Sequence, residues 1–143
     1  MKMEYKNTDQ LRQELMDDND LDRVLSDSDD SFFMQDLPAR LQALFQQQPL
    51  AKSALAKQSD ISEVYLHQVF SGRRTPSRNR LLCLCFGLGA TVDETQELLR
   101  HAGHAPLYPR DRRDAIILFA LSHGMTLPQV NDKLFVEHAE PLC

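Results

Sequence analysis

From Leu37 to Phe135 the apolar residues recur at the spacing of three and four expected of helices, and no stretch of any length alternates apolar and polar residues as a strand does. Glycine, proline and capping residues cut this pattern into short pieces. Leu37, Leu41, Leu44 and Phe45 make the apolar face of a helix running from about Phe32 or Pro38 to Gln48, with Pro49 ending it. A short helix follows from about Ala51 to Gln58, with Leu55 and Ala56 inward. Ser62 caps a third, Glu63 to Phe70, which Gly72 ends. Pro76 and Ser77 open a fourth, SRNRLLCLCFGLG, expected to stop at Gly87 to Gly89.

The capping boxes mark what comes next. Thr91 with Glu94 opens a helix to about His101, and Gly103 ends it. Asp111 caps a helix whose run AIILFAL is apolar almost all round, which predicts burial on all sides before Gly124 stops it. Thr126 with Gln129 opens the last helix, which carries Leu127, Val130, Leu134 and Phe135 on one stripe. That stripe either closes the core or joins a second subunit. Towards the N-terminus, Thr8 is placed to cap a helix bearing Leu11 and Leu15, and then Val24 and Leu25, until DSDDS breaks it. The sequence leaves open whether that arm is helical or loose.

The chain has 143 residues, of which 42% are hydrophobic, enough for a real core. No apolar run approaches the ~20 residues that span a bilayer, so no membrane association is expected. MKMEYKNTDQ lacks the apolar stretch of a signal peptide, and a cytoplasmic location is expected. Cys83, Cys85 and Cys143 are an odd set without a CxxC pair, and the first two lie within LLCLCFGL, where they read as buried thiols. The net charge of −5 is unevenly spread. Residues 1–36 hold 4 basic and 11 acidic side chains, residues 37–113 hold 11 basic and 6 acidic, and residues 114–143 hold 1 basic and 4 acidic. The middle block is basic, and phosphate binding follows the local field rather than the total.

Two short helices joined by a tight turn, then a basic loop and another helix, are the grammar of a helix-turn-helix. Residues 37–103 resemble the Cro/Xre (phage-repressor-like) helix-turn-helix transcriptional regulator family. The marks are Leu55 and Ala56 on the first motif helix, Ile61 after the turn, Leu66 and Val69 on the second, Gly72 at its end, and then Arg73, Arg74 and Pro76. Leu81, Leu82, Leu84 and Leu88 on the fourth helix and the following ETQELL helix fit the same five-helix bundle. The resemblance implies an all-α fold: an acidic, possibly helical N-terminal arm over 1–36, a five-helix repressor-like DNA-binding domain over 37–103, and an extension of two helices over 104–143. More loosely, the block through LYPRDRRDAIILFAL resembles bacterial regulators that carry two added C-terminal helices.

An α-helix fits the major groove, and its N-terminal half reaches base edges. Leu66 and Val69 face the core on the Ser62–Phe70 helix, which leaves Glu63, Val64, His67 and Gln68 outward. By family position Glu63, Val64 and Gln68 are the base-contact residues: Gln can read adenine, Glu can accept from cytosine N4, and Val can touch a thymine methyl. Ser62 at the helix start, Lys52 on the preceding helix, His67, Arg73, Arg74, Arg78 and Arg80 are the backbone-contact residues. An arginine cluster taken alone reads as a solvated face; the helix-turn-helix spacing is what turns it toward DNA. Glu63 departs from this pattern, because a carboxylate repels phosphate unless it meets a base amine or an arginine. Many family members place an Arg and a Glu, as an ion pair, where Phe45 and Phe70 stand here. The paired change implies an aromatic contact in the core. Ala51 leaves the first motif helix without a side-chain cap.

Enzymatic signatures are missing: there is no Gly-rich phosphate loop, no HExxH and no nucleophile elbow. His101 and His104 have no third ligand nearby, so neither a metal nor a cofactor is expected. LYPRDRRD reads as a salt-bridged structural turn, with a phosphate or partner contact as the alternative. The expected function is sequence-specific binding of double-stranded DNA by a homodimer, hence transcriptional regulation and no enzyme activity. The alternative is a protein-interaction module that uses the helix-turn-helix as scaffold and binds a partner protein through the acidic arm or the C-terminal helices. The arm itself is read either as a brake lying over the basic face or as a docked, solubilising helix with Leu11, Leu15 and Val24 in the core.

Overall fold

A computed structural model describes residues 7–17, 20–27 and 37–143. The described residues form an all-α fold with no strand. Two short helices, α1 (Thr8–Asp17) and α2 (Leu21–Asp27), precede the domain. Five helices then build it: α3 (Leu37–Gln46), α4 (Lys52–Gln58), α5 (Glu63–Phe70), α6 (Arg78–Leu88) and α7 (Val92–His101). The added pair is α8 (Arg112–Ser122) and α9 (Leu127–Val136). The expected start at Phe32 and most of the DSDDS break lie outside the described residues.

The caps explain the boundaries. Ser62, Ser77, Thr91, Asp111 and Thr126 each accept a hydrogen bond from the backbone N–H three residues on, and Thr91 and Thr126 complete capping boxes with Glu94 and Gln129. Ala51 offers no side-chain cap to α4. At the N-terminus the sequence reading is corrected by one residue. Asn7, not Thr8, caps α1, through a reciprocal pair of bonds with Gln10.

Helix α6 is the centre of the domain, buried along its whole length from Leu81 to Leu88. It ends within the expected stretch, at Leu88 with Gly89 as its left-handed C-cap. Leu41, Leu55, Leu66, Val69, Leu98 and Leu99 surround it in one continuous core that also takes in Ile117, Leu127, Val130 and Leu134 from the added pair. Phe45 and Phe70 meet as expected, with ring centroids 5.5 Å apart and tilted by 49°. Cys83 and Cys85 are buried thiols, and burial pushes Cys85 up to about 12.

The enclosure expected of α8 is corrected, and the burial of α9 and of the arm is now defined residue by residue. Helix α8 is not enclosed: Phe119 is 52% exposed, and Ile116 and Leu118 are half-buried. On α9, Leu127, Val130 and Leu134 close the core of this chain, while Phe135 is 73% exposed because it falls one position off the buried stripe. In the arm Val24 is buried, Leu11 is half-buried and Leu15 is exposed.

The LYPRDRRD turn is structural. Asp114 accepts from Arg78 and from the Tyr108 backbone, and its own N–H donates to Asp111. Arg113 donates to Asn79 on α6 and to the carbonyls of Glu140 and Pro141. Arg112 pairs at 2.6 Å with Glu137, the residue that caps the end of α9. These contacts fix the added pair against the domain.

Candidate nucleic-acid interface

Helices α4 and α5 are joined by a turn whose backbone bonds follow from its residues. After α4 the N–H of Ile61 returns to the Ala56 carbonyl at 3.0 Å, and that of Asp60 to the Lys57 carbonyl at 3.2 Å. This Schellman closure needs a left-handed residue at Asp60, which sits at φ 53°, and aspartate tolerates that region better than most side chains. Ser59 within the turn is fully buried. It lies against Gly87 of α6 so closely that a Cβ at position 87 would fall 2.0 Å from the Ser59 hydroxyl oxygen. The missing side chain at Gly87 therefore lets the turn seat on the core. An isolated glycine inside an apolar helix was the sequence sign of this close approach.

Helix α5 ends the same way. Gly72 takes φ 79°, and the N–H groups of Arg73 and Arg74 both return to the Gln68 carbonyl, at 2.9 and 3.2 Å. Leu66, Val69 and Phe70 are buried, and Gln42 of α3 donates to the Phe70 carbonyl at 2.7 Å. The opposite face is open. Glu63, Val64 and His67 are exposed, Val64 by 69%, and Gln68 is half-buried beside them. Ser62 is exposed at the start of the helix, its oxygen accepting from Tyr65 N–H at 3.0 Å.

Most of the expected backbone-contact cations are gathered on this helix. The Arg80 guanidinium lies 4.4 Å from the centre of the Tyr65 ring. Lys52 Nζ lies 6.0 Å from the centre of Phe70 and shares a depression of about 290 Å³ with His67, Phe45 and Ser71. Arg73 and Arg74 are exposed and have no ion-pair partner among the described residues. Arg78 is the exception and a correction. Its guanidinium reaches Asp114 at 3.1 Å and the carbonyls of Ala105 and Pro106, so it ties α6 to α8 instead of facing outward. Tyr65 was not singled out in the sequence. Its aromatic ring at an inward-leaning position reads as core, and its role as the platform under Arg80 appears only once α6 is in place.

Residues 36–98 match the model of a helix-turn-helix domain family. The match agrees with the Cro/Xre-type resemblance, which was read over 37–103. No curated protein and no solved structure matched the chain. The matched stretch takes in α4, the tight turn and α5. The two histidines near its end serve contacts inside the fold: His104 Nε2 is 2.8 Å from the Pro76 carbonyl oxygen, and His101 Nε2 is 3.8 Å from Glu97. No helix among the described residues is long and apolar enough to cross a membrane.

Proposed function

We propose that the protein binds double-stranded DNA in a sequence-specific way and regulates transcription. One observation carries this reading: the exposed face of α5 is bordered by four basic residues, two of them held against its aromatic rings and two directly after its end. The Arg80 guanidinium rests on Tyr65 and the Lys52 ammonium lies near Phe70, while the backbones of Arg73 and Arg74 close the end of the helix on the Gln68 carbonyl and leave their side chains exposed. Such a border neutralises phosphates on either side of a groove while the helix face meets the bases. Glu63, Val64 and Gln68 are the base readers, with Glu63 accepting from a cytosine amine and Gln68 pairing with adenine. Ser62 and His67 complete the backbone contacts.

The bound form is a pair of copies on two half-sites, as helix-turn-helix proteins of this kind use symmetric sites. Sedimentation with the selected duplex tests this, and a single copy per duplex argues against it. A second reading has its own support. Phe119, Phe135 and Val136 leave exposed apolar surface on α8 and α9, which suits a protein partner. Selection from a random duplex pool separates the two. An enriched, ordered motif supports DNA reading, and a pool that stays random at low salt supports the interaction module.

A further inference from the structure

Cys83 and Cys143 are sixty residues apart in sequence, and the fold brings the Cys83 thiol against the residue that precedes Cys143. Cys83 is buried on α6, and its thiol approaches the Leu142 carbonyl oxygen at 3.7 Å. Cys143 is exposed, and its sulfur accepts from the Asn131 side-chain amide on α9 at 3.2 Å. The other end of that amide accepts from the Leu142 N–H at 2.8 Å, and Leu142 is itself buried in the core. Asn131 thus holds both Leu142 and Cys143, and Arg113 holds the two residues before them through the Glu140 and Pro141 carbonyls. The result is a segment strapped across α6, with an exposed thiol beside a buried one.

We propose that Cys143 and Cys83 are a reactive pair that forms an intramolecular disulfide when the protein meets a small disulfide oxidant such as glutathione disulfide. The roles follow from access. Burial, and after it the adjoining Cys143 sulfur, hold the Cys83 thiol well above its ordinary range, so it is a poor first nucleophile. Cys143 is the group an oxidant can reach. Its thiolate attacks one sulfur of glutathione disulfide, forming a mixed disulfide and releasing one glutathione thiolate. Cys83 then gives up its proton and attacks the Cys143 sulfur, and the second glutathione leaves as its thiolate. Two protein thiols are oxidised, one disulfide is reduced to two thiols, and the strap becomes covalent. Cys85, buried two residues away, has no such neighbour and stays reduced.

The test uses the full chain, reduced and then incubated with glutathione disulfide. Free thiols are blocked with N-ethylmaleimide under denaturing conditions, and the peptides are mapped by mass. The expected product is lighter by two hydrogen atoms, joins the Cys83 and Cys143 peptides, and carries one maleimide, on Cys85. Because the bond closes a long loop, its melting temperature should rise by roughly 5–10 °C and return on reduction. Cys143→Ser should keep the unoxidised melting temperature and lose both responses, and Cys85→Ala should retain them. A product in which Cys143 holds glutathione while Cys83 still takes maleimide overturns the proposal. So does a Cys143–Cys143 bond between two chains.

Discussion

Arg78 and Asp114 form a two-pronged ion pair, at 3.1 and 3.2 Å, that joins the first turn of α6 to the first turn of α8. Both ends are largely shielded, and Asp114 also takes the Tyr108 N–H. Removing the arginine leaves a buried carboxylate with fewer donors. Arg78→Ala should therefore destabilise the protein by about 3 kcal/mol in urea unfolding. The salt dependence of DNA binding should stay unchanged, because this guanidinium neutralises a carboxylate and not a phosphate. A flattened salt slope with normal stability would return Arg78 to the DNA contacts.

Gly87→Ala should disturb the turn of the helix-turn-helix from behind. The new methyl meets the Ser59 hydroxyl at 2.0 Å and the Leu55 side chain at 3.2 Å. A loss of about 1–3 kcal/mol is expected. Ser59→Ala in the same chain should recover part of it, since the hydroxyl is the nearest obstacle. A double variant no better than the single one would show that the strain lies elsewhere.

Arg73→Ala and Arg74→Ala should each weaken binding to all duplexes alike and reduce the slope of log affinity against log salt by about one unit. Competition between the selected site and random duplex checks this. A change confined to one base pair would make the arginine a reader.

Alkaline stability should depend on Cys85. Its folded-state thiol is raised to about 12 from an ordinary 9.0, chiefly by burial. The folded protein therefore keeps a proton that the unfolded chain releases above pH 9. Stability is fully present below that value and declines as pH rises towards 12, with a slope of about 1 kcal/mol per pH unit from this group. Urea unfolding of Cys85→Ala between pH 9 and 11 should show a shallower decline. Equal slopes in the two proteins would contradict the assignment.

Most of the fold was legible in the sequence because its helices announce their own ends. Ser62, Ser77, Thr91, Asp111 and Thr126 are local signals, and each caps where its side chain predicts. What the sequence concealed depends on partners distant in the chain. Arg78 and Arg80 are one turn apart in neither direction and look equivalent, yet one meets Asp114 and the other Tyr65. The apolar run of α8 predicted enclosure, but only one added helix packs beside it, so Phe119 stays exposed. The outward face of α5 could be inferred from helical spacing alone, since Leu66 and Val69 had to face inward.

Base reading is tested at Gln68. Gln68→Ala should cost about 1–3 kcal/mol on the selected site and relax one or two base positions. An unchanged site preference would remove it from the readers and leave Glu63 and Val64.

The most direct measurement is the affinity of the full chain for its selected duplex across a salt series, beside a random duplex of equal length. With four cations bordering α5 in each of two bound copies, affinity should fall on the order of 10⁴-fold between 50 and 200 mM salt, and the selected duplex should be preferred throughout. An affinity indifferent to salt, or equal for the two duplexes, would contradict DNA reading by this helix.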